Sequence, residues 1–289
     1  MNPEDRPLVS ILMTAYNREN YIAEAIESVL KSSYENFELI IVDDNSIYKT
    51  ASIAKEYCRQ DKRVKLFLNK TNLGDYPNRN KAASYATGGY LMTVDSDDMI
   101  YGDSIQKCVH LMIEFPGGNF GMLFYARDTD EVICLDAGTA IKNHFFKKPF
   151  LGIGPGGTII KRSFFYLIGG YPEKYGPAND MYFNIKAAAR GGVILFPFEI
   201  VNYRVHEGQE KNNSFLYLYN NYNYMNDAIK QLPLQITEAQ KKWLLNKNKR
   251  RFLVNIRKFF FKTYDIRKTS EAIKKARFTI NDLFAGVFH

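Results

Sequence analysis

The first hundred residues alternate two hydrophobic patterns. Continuous apolar runs at 8–13 ("LVSILM"), within 37–46 ("FELIIVDDNS"), at 64–69 ("VKLFLN") and at 90–94 ("YLMTV") predict buried strands. Between them, 19–33, 49–60 and 76–89 carry apolar residues at helical spacing. Ile22, Ala25, Ile26, Val29 and Leu30 mark the first helix, with Asn20 as its cap; Ile53, Ala54, Tyr57 and Cys58 mark one side of the second. Pro77 lies near the first turn of the third, with glycines after its end. Repeated strand–helix units with uniformly apolar strands predict a parallel sheet covered on both faces. From about residue 117 the pattern changes. Gly-rich pieces alternate with short strands, one helix spans 179–192, and 191–206 supplies two more short strands. A polar, Asn/Tyr-rich helical tail follows Glu207, with Pro233 as an internal boundary.

In open parallel sheets, ligands bind beyond the carboxyl ends of the strands. That rule brings "TAYN" (14–17), "DDNS" (43–46) and "DSDD" (95–98) to one rim. The last of these sets three carboxylates in four positions directly after a core strand. Mutual repulsion and desolvation both disfavour such a cluster. Either it is a solvated turn, with an Asp cap for the helix starting near Asp103, or it awaits a cation; hard oxygen ligands suit Mg²⁺ or Mn²⁺. Asp44 is placed to accept the imide N–H of a uracil or thymine ring, or to cap a turn. Arg79 and Lys81 either face an anionic diphosphate or base, or are surface cations.

Composition is ordinary for a globular chain, with 46% hydrophobic and 24% charged residues. No run of about 18 apolar residues exists, so no membrane span is expected. The start, "MNPEDRPLVS", has no signal-peptide core, which points to a cytosolic protein. Cys58, Cys108 and Cys134 are odd in number and far apart, and read as small core residues. The net charge of +8 is concentrated at the end: residues 241–289 hold 14 Lys/Arg against 3 Asp/Glu.

"PLVSILMTAYNRENYIAEAIESVLKSSYENFELIIVDDNS" and "RVKLFLNKTNLGDYPNRNKAASYATGGYLMTVDSDD" together resemble the opening of a family 2 glycosyltransferase of the GT-A fold. The match is close over about 7–115 and looser through "IGGYPEKYGPANDMYFNIKAAARGG" and "YRVHEG". The resemblance implies an α/β, Rossmann-like, mostly parallel central sheet flanked by helices, with a C-terminal helical extension. It implies a catalytic domain over 1–214, split into a nucleotide-binding half (1–115) and an acceptor half (116–214), followed by a basic extension over 215–289.

It also implies roles for residues. Thr14, Ala15 and Tyr16 match the first-strand loop around the nucleotide base, chiefly through backbone. Asp44 matches the base-binding aspartate and Arg79 the arginine beside the nucleotide. Asp95, Ser96 and Asp97 match the family's Asp-x-Asp, with Asp95 on the nucleotide side and Asp97 on the metal; Asp98 has no assigned role. Asp180 matches the general base of inverting members, although this chain has Asn179 where relatives often have Glu. His206 completes the metal shell, touches the phosphates, or is structural. Gly156 and Gly157 either admit a sugar or make a tight turn.

The implied activity is transfer of one sugar from a UDP- or dTDP-linked donor, with Mn²⁺ or Mg²⁺, to a hydroxyl of a glycan or lipid-linked acceptor in surface polysaccharide or glycoconjugate synthesis. No Gln-x-x-Arg-Trp run of processive polymerases is present. A sugar nucleotidyltransferase is one alternative, although "TAYNRENY" lacks the glycine-rich loop it would want; a non-catalytic glycan-binding or scaffold protein is another. For the tail, Trp243, Leu244, Leu253, Ile256, Phe260 and Tyr264 suggest one broad apolar face. A helical cap over the core is the first reading and peripheral contact with an anionic membrane the second. No nucleic-acid motif supports a third.

Overall fold

The structure, a computed structural model, describes residues 6–124, 131–206, 214–279 and 282. The Glu-Gly pair after His206 in "YRVHEG" lies outside the described residues. β1 (Val9–Ala15), β2 (Phe37–Asp43) and β3 (Val64–Leu68) pair in parallel, and β4 (Tyr90–Thr93) joins β1 on its other side, also parallel. β2 is buried at all seven positions. Its alternate side chains feed two cores: Ile40 and Val42 join one, Leu39 and Ile41 the other. α1 (Ile22–Leu30) and α4 (Ser104–Glu114) cover the second, and α3 (Asp75–Ser84) the first. α2 (Thr50–Gln60) packs beside α1 and β3. Neither expected cap forms. Asn20 lies outside α1, whose capping position is Tyr21, and Asp103 caps no backbone N–H but pairs with Lys107 at 2.6 Å.

One buried charge sits in this sheet. Glu38 accepts from Ser10 Oγ at 2.6 Å, from Thr87 N and Oγ1 at 2.7 and 2.8 Å, and from Lys65 Nζ at 2.7 Å. Burial alone would raise its pKa; these donors overcome burial and pull it down to about 2. The same network explains Gly88, where a Cβ would lie 2.6 Å from Leu8 O and 2.8 Å from Ser10 Oγ.

Beyond β4 the sheet becomes mixed. β6 (Gly118–Leu123), β7 (Ile133–Leu135), β8 (Thr158–Lys161) and β9 (Gly192–Phe196) complete eight strands in the order β3-β2-β1-β4-β8-β6-β9-β7. β8 is antiparallel to both β4 and β6, and β7 to β9, while β6 and β9 are parallel. The parallel pairing expected of the first hundred residues holds there, and the whole sheet is mostly parallel as expected, with β7 and β8 the reversed strands. β5 (Met99–Ile100) and β10 (Val201–Asn202) form a separate antiparallel ribbon, which carries 203–206 back to the acidic turn. α5 (Ala137–Phe146), α6 (Arg162–Leu167) and α7 (Asn179–Arg190) flank this half. Cys134, on β7, is exposed rather than a core residue.

α8 (Ser214–Gln231), α9 (Glu238–Thr263) and α10 (Ile266–Lys275) form the tail, and Pro233 lies between the first two. α9 starts with a capping box between Thr237 and Gln240. Its buried residues are Leu244, Asn248, Phe252 and Ile256, spaced four apart. The broad face expected from the sequence is not a single face: Trp243 is half exposed and Tyr264 mostly exposed. Tyr224, Ala228 and Ile229 of α8 and Leu244 of α9 join the main core, so the tail does cover it. No described helix is long and apolar enough to cross a membrane.

Candidate active site

The three strand-end loops meet on one rim and are tied by short bonds. Asp44 N donates to Ala15 O at 2.8 Å, and Ser96 Oγ donates to Thr14 O at 2.8 Å. Thr14 and Ser96 thus fix each other in this structure, leaving the Tyr16 ring exposed at the rim. The loops turn through Asn17 and Asn45, at φ 53° and 64°, a left-handed region that asparagine tolerates.

Asp44 is buried, and its carboxylate accepts Asn69 Nδ2 at 2.7 Å and the backbone N–H groups of Leu73 and Gly74 at 2.9 Å each. It therefore moulds the 69–74 loop. A carboxylate has about four lone-pair directions, so one acceptor site is left over. Gly74, at φ 89°, supplies the turn into α3.

The acidic cluster is resolved by division. Each carboxylate has its own counter-group. Arg79, buried on α3, donates from Nε to Asp75 Oδ1 at 2.7 Å and places Nη1 2.7 Å from Asp95 Oδ1. That second contact is an ion pair whose angle departs from hydrogen-bond geometry, so both atoms are buried without a well-directed partner. Burial would lower the pKa of Arg79, but the charges of Asp75 and Asp95 keep it protonated. Burial raises the pKa of Asp95, against the pull of Arg79. Asp97 Oδ2 receives Arg18 Nε at 3.0 Å and His206 Nε2 at 2.9 Å. Asp98 Oδ1 accepts Arg204 N at 3.0 Å; burial first, then the Asp95 charge, push its pKa up to about 7.

Arg204 also donates from Nε to Asp97 O at 2.6 Å and from Nη2 to Tyr21 O at 3.1 Å, and its Nη1 pairs with Glu24. His206 stacks on the Tyr21 ring at 4.7 Å. The β5–β10 ribbon and α1 together set this side of the rim. Lys81, on α3, has no described contact with the acidic residues.

Asp180 is buried in the first turn of α7, where the helix dipole favours an anion. Its Oδ1 accepts the adjacent Met181 N at 2.7 Å, so it is not a cap of the usual kind. Burial pushes its pKa up to about 7, with the Met181 N–H and the Arg79 charge opposing. Asn179 works differently. Its Oδ1 accepts Tyr175 N at 2.9 Å and its Nδ2 donates to Gly176 O at 2.7 Å. Asn179 therefore builds the turn that delivers Asp180. A Cβ at Gly157 would meet Ile153 Cγ2 at 2.4 Å, whereas Gly156 has ordinary room, so the first is a packing requirement.

Among the described residues, no group of three or more His, Cys, Asp or Glu is arranged to hold an ion. Asp97 and His206 offer a carboxylate and an imidazole on one point, with Arg18 on the same oxygen. Such a partial donor set fits an ion of the Mg²⁺ or Mn²⁺ type, which takes one or two carboxylates and completes its shell with substrate phosphates and water. Arg18 and Arg204 were not assigned from sequence, although both sit inside quoted motifs, "TAYNRENY" and "YRVHEG". The surplus of carboxylates over cations at the rim was the available signal.

Fold and rim together define a GT-A transferase architecture. The family model "Glycosyl transferase family 2" matches residues 10–165, and the chain belongs to that family. It is 32% identical over 222 residues to an uncharacterized glycosyltransferase of Haemophilus influenzae, covering 71% of this chain and 68% of that one. It is 37% identical over 123 residues to the Escherichia coli UDP-Glc:alpha-D-GlcNAc-diphosphoundecaprenol beta-1,3-glucosyltransferase WfgD, covering 41% of this chain and 48% of that one. Another Haemophilus relative is matched over only 43% of its length. In three dimensions it resembles Staphylococcus aureus TarS 1-349 in complex with UDP-GlcNAc, with a TM-score of 0.72 at 20% identity, over 92% of this chain and 79% of that one.

Proposed function

We propose that the protein moves one sugar from a UDP- or dTDP-linked donor to a hydroxyl of a glycan or lipid-linked acceptor, with inversion and a divalent ion, in assembly of a surface polysaccharide or glycoconjugate. The observation that carries this reading is Arg79. One buried guanidinium pairs with Asp95 on the rim and lies within the field of Asp180 at the start of α7. It links a diphosphate-side group to a base-side group. WfgD, by its name, uses UDP-Glc and a diphosphoundecaprenol-linked acceptor, and TarS was solved with UDP-GlcNAc; both agree with such a donor.

In this reading residues 1–115 hold the nucleotide, 116–214 present the acceptor and 215–289 wall the acceptor side. The base lies against Tyr16 and the 14–15 backbone, with its imide N–H on the remaining acceptor site of Asp44. Asp97 and His206 would hold the ion, and the chemistry it would supply there is neutralisation of charge on the leaving diphosphate. Asp180 takes the acceptor's hydroxyl proton as that oxygen attacks the anomeric carbon. The bond from that carbon to the donor phosphate oxygen breaks, and its electron pair leaves on the nucleoside diphosphate. Arg79 steadies the same side of the site electrostatically. Exposed Lys242, Arg250, Arg257 and Lys258 on α9 support peripheral contact with an anionic membrane.

A panel of UDP-, dTDP- and GDP-sugars with Mn²⁺ tests the reading by thermal shift, since a ligand of the native state raises its stability. A shift with one donor class, followed by release of nucleoside diphosphate, is expected. Folded protein that no donor stabilises would overturn it; release of pyrophosphate would identify a nucleotidyltransferase.

A further inference from the structure

A cavity of about 390 Å³ lies between the acceptor half and the tail helices, within the range of small-molecule sites. Its wall is apolar: Phe124, Phe150, Met181, Ile185, Ile229 and Leu244 contribute from the residue after β6, the 147–153 loop, α7, α8 and α9. Three cations, Lys148, Lys247 and Arg251, also line it, and all three are exposed. Among the described residues, no Asp or Glu does.

The wall is held in place before any ligand arrives. His144 Nδ1 accepts the N–H groups of Phe150 and Leu151 at 3.1 Å each. Asn184 Nδ2 donates to Leu151 O at 3.0 Å and Ile153 O at 2.8 Å. Two side chains thus pin the 147–153 loop. Lys148 Nζ sits 5.6 Å over the Phe124 ring and Lys247 Nζ 4.7 Å over the Trp243 ring, so aromatic faces hold both ammonium groups at the cavity's edge, where their residues are exposed.

We infer that this cavity binds a lipid diphosphate, with the hydrocarbon chain in the apolar trough and the diphosphate on Lys148, Lys247 and Arg251. A free glycan would find few polar partners inside. A free phosphate would leave the trough unused, and a flat membrane surface would not need a concavity. An amphiphile with an anionic head uses both features. The cavity comes within one residue of the proposed base: Met181 lines it, and Asp180 is the preceding residue. In this proposal the sugar on that diphosphate extends along the wall towards Met181 and the base beside it. The inference rests on the proposed transfer reaction and assigns the acceptor's carrier to a place.

Calorimetric titration of the full chain tests it, using farnesyl diphosphate, farnesol and inorganic pyrophosphate as probes, each with and without saturating UDP. Farnesyl diphosphate is expected to bind at least tenfold more tightly than either of the others, with UDP present. The exposed double variant Lys247→Glu/Arg251→Glu is expected to weaken it at least tenfold and leave UDP binding unchanged. Pyrophosphate or farnesol binding as tightly as farnesyl diphosphate would overturn the inference, as would loss of binding when UDP saturates the donor site. UDP binding is read in the same titrations. Its absence counts against the transferase reading, while farnesyl diphosphate bound through Lys247 and Arg251 still supports the cavity assignment.

Discussion

Arg79 Nη1 and Asp95 Oδ1 lie 2.7 Å apart and buried, yet neither atom has a well-directed hydrogen bond. An ion pair left under-satisfied in this way is a costly arrangement for stability alone. It suits a ligand whose oxygens complete the guanidinium.

Arg79→Lys is therefore expected to weaken donor binding by about tenfold or more while the protein stays folded. A lysine is a single point charge and cannot span Asp75 and Asp95 together. Calorimetric titration with the best donor checks this; unchanged affinity would show that Arg79 serves only the fold.

Asp180→Asn is expected to keep donor affinity and lose about 10²–10⁴-fold in transfer, the usual worth of a positioned base. The wild-type rate should fall as pH drops through about 7, because the base works only when deprotonated. The stability effect has the opposite sign. The folded pKa is raised, so the native state holds the proton longer and loses stability as pH climbs from about 4 to 7. Urea midpoints of Asp180→Asn at pH 5 and pH 8 should differ less than those of the wild type.

Chelation by EDTA is expected to abolish transfer. Arg18 shares Asp97 Oδ2 with His206, so it competes with any cation there. Removing a part-exposed pair is worth about 1 kcal/mol. Arg18→Ala should then lower the Mn²⁺ needed for half-maximal activity by roughly fivefold, read from a metal titration of initial rates. A higher requirement would assign Arg18 to the donor.

Glu38→Ala is expected to destabilise the fold by about 3 kcal/mol, since it strands several buried donors. The sign with pH follows from a depressed folded pKa: the stabilisation is present above about pH 4.5 and is lost as pH falls towards 2. Chemical denaturation of both proteins at pH 7 and pH 3 should therefore converge at the lower pH.

The strands of the first half were legible because β1, β2 and β4 are short apolar runs bounded by polar turns and separated by helical patterns, which is how strands buried on both faces of a parallel sheet read. The rim followed from it, down to Asp44, Asp95 and Asp97. The arginine partners of Asp97 and Asp98 were not legible. Arg18 and Arg204 reach Asp97 and Asp98 across 79 and 106 residues, and only the β5–β10 ribbon brings the second pair together. The antiparallel strands were hidden for a similar reason: β8 and β7 are short, and their direction depends on connections rather than on composition. On α9 the error was one of phase. Trp243 is one residue from the buried Leu244, and a helix turns about 100° in that step.

A turn of about 100° likewise separates Asp180 from Met181 on α7. One faces the polar rim and its neighbour the apolar cavity, with a single peptide between them. The family match ends at residue 165, before α7, α8 and α9 supply much of the cavity wall. The step between the two environments is therefore one residue wide: in the proposed reading, a change at Met181 alters which carrier docks while Asp180 keeps its place beside the donor.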